Sequence, residues 1–135
     1  MSTQMTVVSA TQQLMAKSFT DRMVGLPLGG DIFLLETHVA GLQYYQASEI
    51  VGRLQAGNTL ILRREPANPH DDLAIEILVA SGQKLGYVPR FRNPVLARLM
   101  DAGKELLATV AIIDANSRYA IERLPEVRLK ISLRD

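Results

Sequence analysis

Arg63-Arg64-Glu65-Pro66-Ala67-Asn68-Pro69-His70-Asp71-Asp72-Leu73-Ala74-Ile75, followed by Leu85-Gly86-Tyr87-Val88-Pro89-Arg90, decides how this chain is read. Proline fixes φ and has no amide donor, so Pro66 and Pro69 do not belong to a central strand. They make the segment a stiff connection between two strands. It delivers a histidine and two acids immediately before an alternating apolar run, which is the layout of a binding or reaction site. Tyr44, Tyr45, Tyr87, Arg63 and Arg90 add aromatic and cationic groups, so nucleic acid is the first partner to consider.

Strand patterns extend from this stretch in both directions. Ile32 to Val39 is rich in β-formers, and Leu60 to Leu62 follows the turn pair Gly57-Asn58. Leu73, Ile75, Ile77 and Val79 alternate with Ala74, Glu76 and Leu78, and Ser81-Gly82 turns the chain into Lys84 to Val88. Leu106 to Ile113 is a long apolar run. Val127, Leu129, Ile131 and Leu133 alternate with Arg128, Lys130, Ser132 and Arg134 as a half-buried strand does. Two helices are expected between these strands. One has Asn93 as N-cap, Pro94 at the first helical position, Leu96, Leu99 and Met100 inward, and Gly103 as its stop. The other runs from about Ser48 to Ala56, with Ile50, Val51 and Leu54 inward and Gly57 as C-cap. Six or seven short strands with two short helices predict a mainly β (α+β) fold, a small curled barrel over residues 31–135. Residues 1–30 read as an N-terminal extension, either helix or tail. Val7, Leu14, Met15, Phe19 and Met23 form a helical stripe on which a protein partner could dock, and Gly29-Gly30 forms a linker.

At 135 residues and 47% hydrophobic, the chain has enough apolar content for one domain with a core of its own. Cysteine is absent, which excludes disulfides and thiolate metal sites. No apolar run is long enough to span a bilayer, and no basic region precedes an apolar one at the N-terminus. A cytoplasmic location without membrane contact is expected. The net charge of +1 argues against coating nucleic acid through charge alone, so any such site must be local. Eleven of the fifteen basic residues are arginine, the side chain suited to bidentate phosphate contacts and base stacking.

The chemical inventory is short. There is no thiol nucleophile, no Gly-x-Ser-x-Gly and no Gly-x-x-x-x-Gly-Lys-Ser/Thr, and no cofactor or catalytic residue is assigned. His70, Asp71, Asp72 and Glu65 could together hold Mg²⁺ or Mn²⁺ for phosphodiester cleavage, which makes a metal-dependent phosphodiesterase one alternative reading; an adaptor whose N-terminal helix docks a repair protein is the other. Against the metal, the spacing is wrong for zinc, the other histidine is His38, and Asp71 and Asp72 cannot both turn inward if a strand starts there. One of them is expected to cap the loop by accepting backbone amides. Arg63, Arg64, Arg90 and Arg92 bracket the two loops. Of Tyr44 and Tyr45, after the turn at Gly41, one is expected to pack inward and the other to face out as a stacking platform.

Val39-Ala40-Gly41-Leu42-Gln43-Tyr44-Tyr45, the Arg63 to Ile75 stretch and Gly82-Gln83-Lys84-Leu85-Gly86-Tyr87-Val88-Pro89-Arg90 together resemble a HIRAN domain, in register from about Phe33 to Tyr119. The Arg-Glu-Pro-x-Asn-Pro-x-Asp-x-x-Ala-Ile segment carries most of that resemblance. It implies an OB-like β-barrel of about six strands with two short helices, in the stand-alone form found in bacteria. It also implies a module for DNA replication or repair that captures the 3′-hydroxyl end of single-stranded DNA. Tyr44 and His70 would contact the terminal nucleotides, and Asp71 would accept a hydrogen bond from the 3′-hydroxyl. Tyr87 and Arg90 would lie along the backbone, and Tyr119 would sit further down the groove. Gln43 stands where a eukaryotic relative has arginine, and His70 stands where it has an aromatic. A carboxylate is a poor group for generic DNA binding, but against a free hydroxyl it is a good acceptor and against a 3′-phosphate it is repulsive.

Overall fold

The computed structural model describes residues 30–42, 47–117 and 124–135. Six antiparallel strands make one sheet: β1 (Ile32–His38), β2 (Thr59–Arg64), β3 (Ile75–Val79), β4 (Lys84–Tyr87), β5 (Leu106–Asp114) and β6 (Glu126–Leu133). Their order across the sheet is β1-β6-β5-β2-β3-β4, so β1 and β4 are the two edges. Register slips between Phe33 and Leu35, between Ile77 and Leu78, and between Val110 and Ile112 insert bulges. Each bulge bends its strand and adds twist. The sheet curls until its edges meet just past β1, where Ala40 and Tyr87 exchange two backbone hydrogen bonds of 2.8 Å. The result is a curled half-barrel, as the strand pattern predicts, of the OB-like kind that the family resemblance implies.

Alternation in the sequence fixes what fills it. Val127, Leu129 and Ile131 of β6 face the core with Ile75 and Ile77 of β3, Leu85 of β4 and Leu96. Each such side chain contributes roughly 1.5–3 kcal/mol when fully buried. Strand β3 is buried on both faces: Ile75, Ile77 and Val79 point into the core cluster, while Glu76 on the other face is only 2% exposed. Glu76 is opposite Arg63 of β2 and Tyr87 of β4. The Arg63 guanidinium donates to Glu76, and Lys84 Nζ lies 3.3 Å from Glu76 Oε1. Lys84 and Tyr87, three residues apart, would face opposite sides of a regular strand. The β3–β4 bulge lets both reach the same side, where Lys84 Nζ donates to the Tyr87 hydroxyl at 3.1 Å.

Both helices differ in detail from the sequence expectation. Helix α1 (Ala47–Val51) ends well before Ala56. Gly57 does not cap it, because residues 57 and 58 are held by β5 instead: Gly57 N–H donates to Val110 O at 2.7 Å and Val110 N–H to Asn58 O at 2.9 Å. Helix α2 (Asn93–Asp101) has Arg92, not Asn93, at its N-cap, with no side-chain cap bond there, so Pro94 is the second helical residue. The Asn93 side chain is buried and committed elsewhere. The C-terminus follows expectation: Gly103, at φ +88°, lets its N–H reach Met100 O and that of Lys104 reach Leu99 O, a Schellman ending. The stripe of Val7, Leu14, Met15, Phe19 and Met23 lies outside the described residues.

Gly86 makes the seam feasible. A Cβ at this position would lie 2.4 Å from Ala40 O and 2.6 Å from Val39 Cγ1, and the backbone oxygen cannot move aside without breaking the bridge. Gly86→Ala is expected to destabilise the fold by about 1–3 kcal/mol or more through overpacking. Urea denaturation checks it, and an unchanged midpoint would contradict the seam as described.

Candidate functional site

Two prolines and a tight path deprive the Glu65–Ala74 loop of ladder partners, so its backbone amides must bond locally or to side chains. The loop closes on itself where Glu65 N–H donates to Ala74 O at 2.9 Å. Inside it, Asn68 Oδ1 accepts the amides of His70 (2.9 Å) and Asp71 (3.2 Å), while its Nδ2 donates to Glu65 Oε1 at 3.0 Å. Asp71 Oδ1 accepts Leu73 N–H at 3.0 Å, so Asp71 is the loop-capping acid of the pair and Asp72 is exposed. Asp71 Oδ2 accepts the buried Asn93 amide at 2.8 Å, which pins the loop to the start of α2.

The four arginines part company. Arg64 turns to the underside of the loop, donating to Ala74 O (2.7 Å) and Asp72 O (2.9 Å) and gripping Asp101 of α2 with two bonds. Arg63, its neighbour on the other face of β2, is paired with Glu76. Arg90 donates to the His70 carbonyl and has Nε 3.8 Å from Asp71 Oδ2, with its side chain 70% exposed. Arg92 lies over the Phe91 ring, 5.3 Å from its centroid.

Between this loop and the seam lies a cleft of about 330 Å³, lined by Ala40, Gly41 and Val88 and by His70, Asp71, Tyr87 and Arg90. Four of the residues expected at a site are thus brought together. Gln43, Tyr44 and Tyr119, like Tyr45, lie outside the described residues. The Tyr87 hydroxyl donates to Glu65 Oε1 at 2.6 Å, continuing a chain from Lys84 through Tyr87 to Glu65. That hydroxyl holds the Glu65 carboxyl below its ordinary range; burial opposes the shift, and Asn68 and Lys84 add to it. Burial draws the Lys84 ammonium down, but the Tyr87 hydroxyl, Glu76 and Glu65 outweigh it and hold the ammonium above its usual range. For Asp71 the Asn93 amide has the largest effect and lowers the carboxyl. Partial burial works the other way, and the Leu73 amide, Arg90 and Arg64 complete the lowering. Asp71 is therefore held as an ionised, acceptor-only group at the cleft wall.

Glu65, His70, Asp71 and Asp72 do not converge. Among the described residues no group of three His, Asp or Glu side chains is arranged to hold a metal ion. Two residues were not assigned to the site from the sequence: Asn68, which organises the loop, and Asn93, read there as a helix cap, which positions Asp71. The Asn-Pro and Asn-Pro pairs at 68–69 and 93–94 were the available signal.

With this geometry in view, the comparisons are consistent. The HIRAN domain family model matches residues 32–132, and the chain belongs to that family. The rabbit (Oryctolagus cuniculus) helicase-like transcription factor is 31% identical over 87 residues, 64% of this chain but 8% of that protein. A crystal structure of a protein from Lactobacillus plantarum superimposes with a TM-score of 0.64 at 28% identity, covering 77% of this chain and 97% of that one. The HIRAN domain of HLTF in its DNA-bound conformation, solved by NMR, gives a TM-score of 0.53 at 22% identity over 76% of this chain and 77% of that one. At that identity the likeness concerns the fold alone.

Asn93→Ala is expected to lower stability by about 1–3 kcal/mol at neutral pH, because it leaves a part-buried carboxylate short of a donor. Asp71 has a lowered folded-state pKa, so its contribution is complete above the ordinary aspartate value of about 3.9 and is lost as pH falls through the lowered one. Wild type and variant should therefore converge in urea melts toward strongly acid pH, and a constant gap would contradict the pairing.

Proposed function

We propose that this protein is a DNA-binding module that captures the 3′-hydroxyl end of a single strand, acting in replication or repair in the cytoplasm. The observation that carries the reading is Asp71: an ionised carboxylate on the wall of a cleft, held open to a ligand by Asn93 on one side and Leu73 N–H on the other. A carboxylate offers about four lone-pair sites, so these two bonds leave room for a hydroxyl donor. Arg90 beside it has five donors, one of them spent on the His70 carbonyl, and can meet the adjoining phosphate. Membership of a family in which the HLTF domain has been solved bound to DNA supports the same reading. On this proposal Tyr44 and His70 stack on the last bases, with Gln43, Tyr87 and Tyr119 along the strand.

The test is one oligonucleotide carrying a 3′-hydroxyl, a 3′-phosphate, or closed into a circle. The 3′-hydroxyl form should bind tightest, by about 1.5–3 kcal/mol, the range of a hydrogen bond to a charged group. Asp71→Asn removes the charge and keeps one acceptor, for Leu73 N–H, while its NH2 faces Asn93, whose amide can flip to accept it; the variant is expected to erode discrimination against the phosphate more than affinity. Equal binding of all three ligands by the wild type would sink end capture. Tyr44→Ala should weaken binding by about 1–3 kcal/mol through lost stacking, and an unchanged affinity would remove Tyr44 from the site.

A further inference from the structure

Phe91 is 70% exposed, the most exposed large apolar side chain among the described residues, and it falls between Arg90 and Arg92. A single exposed phenylalanine is ordinary on a protein surface. The surroundings of this one are not: its ring has the His38 imidazole at 6.3 Å, tilted by 38°, and the Arg92 guanidinium 5.3 Å from its centroid. Neither ring lines the cleft, but each lies within two residues of one that does. Phe91 directly follows Arg90, and His38 is two residues before Ala40, a separation of about 7 Å along an extended chain. An exposed aromatic ring braced by a second ring, with Arg92 against it and Arg90 preceding it in the chain toward the hydroxyl-reading cleft, matches the requirements for holding a base beside a phosphate. The other nearby cation, Arg128, opposite His38 on β6, is committed to Glu36 and Glu126. Arg90 and Arg92 are thus the cations positioned for the strand.

We infer that Phe91, backed by His38, is a second stacking platform, taking a base of single-stranded DNA upstream of the terminal nucleotides held in the cleft. The inference rests on the end-capture reading for the direction of the strand. It gives the site a length: a dinucleotide fills the cleft, and a longer strand also reaches the platform. Arg92 compensates the phosphate that accompanies the extra base.

The experiment measures binding of 5′-labelled oligothymidines with free 3′ ends, a dinucleotide and a decanucleotide, to wild type, Phe91→Ala and His38→Ala, with thermal melting as the control for folding. Phe91→Ala is expected to lose about five- to 150-fold on the decanucleotide, the range for one stacked base, and nothing on the dinucleotide. His38→Ala should show a smaller loss with the same length dependence. A 2-aminopurine scanned upstream from the 3′ end should be quenched by wild type at one position and released by Phe91→Ala. Equal losses on both lengths, or no loss on either in a folded variant, would overturn the platform while leaving end capture standing if the 3′-hydroxyl is still preferred. A length-dependent loss together with equal wild-type binding of linear and circular strands would keep the platform and overturn end capture. Failure of wild type to bind any strand would overturn both.

Discussion

Two hydrogen bonds between Ala40 and Tyr87 join the edges of the sheet, and they form because residue 86 has no side chain. The candidate site in the described structure is arranged around that crossing. It brings the chain that leads toward Gln43 and Tyr44 alongside β4, and it makes Ala40, Gly41 and Val88 one side of the cleft whose other side is the Glu65–Ala74 loop. A side chain at position 86 would force the two backbones apart, and the cleft would lose a wall before it lost a single polar group.

The loop opposite is a lattice of side-chain bonds. Asn68 gathers the backbone from the inside, Arg64 ties it from below to Asp101, and Asn93 holds Asp71 from α2. Fixing a carboxylate on a ten-residue loop would normally mean ordering much of it on binding. Here the ordering is already complete in the free protein, which reduces the entropy lost when a ligand arrives. The two prolines contribute by narrowing the unfolded ensemble as well.

Much of this was legible in the sequence, because strand alternation and proline placement are local signals. All six strands fall where the apolar pattern put them, and His70, Asp71, Tyr87 and Arg90 do meet at one cleft. What escaped was set by tertiary partners. Asn93 before a proline has the chemistry of a helix cap, and only an acid twenty-two residues earlier draws its amide away. Gly57 has the look of a helix stop, yet β5 claims its amide. Arg63 and Arg64 are indistinguishable by type; their parity along β2 sends one to Glu76 and the other beneath the loop. Phe91 was passed over between two arginines, since nothing local says whether a single aromatic points in or out.

The seam is also the narrowest joint in the sheet, two bonds wide, whereas β5 and β6 are paired along almost their whole length. Local opening follows the path of fewest bonds broken. By that measure the amides of Ala40 and Tyr87 have the fewest neighbouring bonds to break before they meet solvent. On the reading proposed above, a strand lying across the cleft would bridge that joint from outside, and occupancy of the cleft would favour the closed barrel.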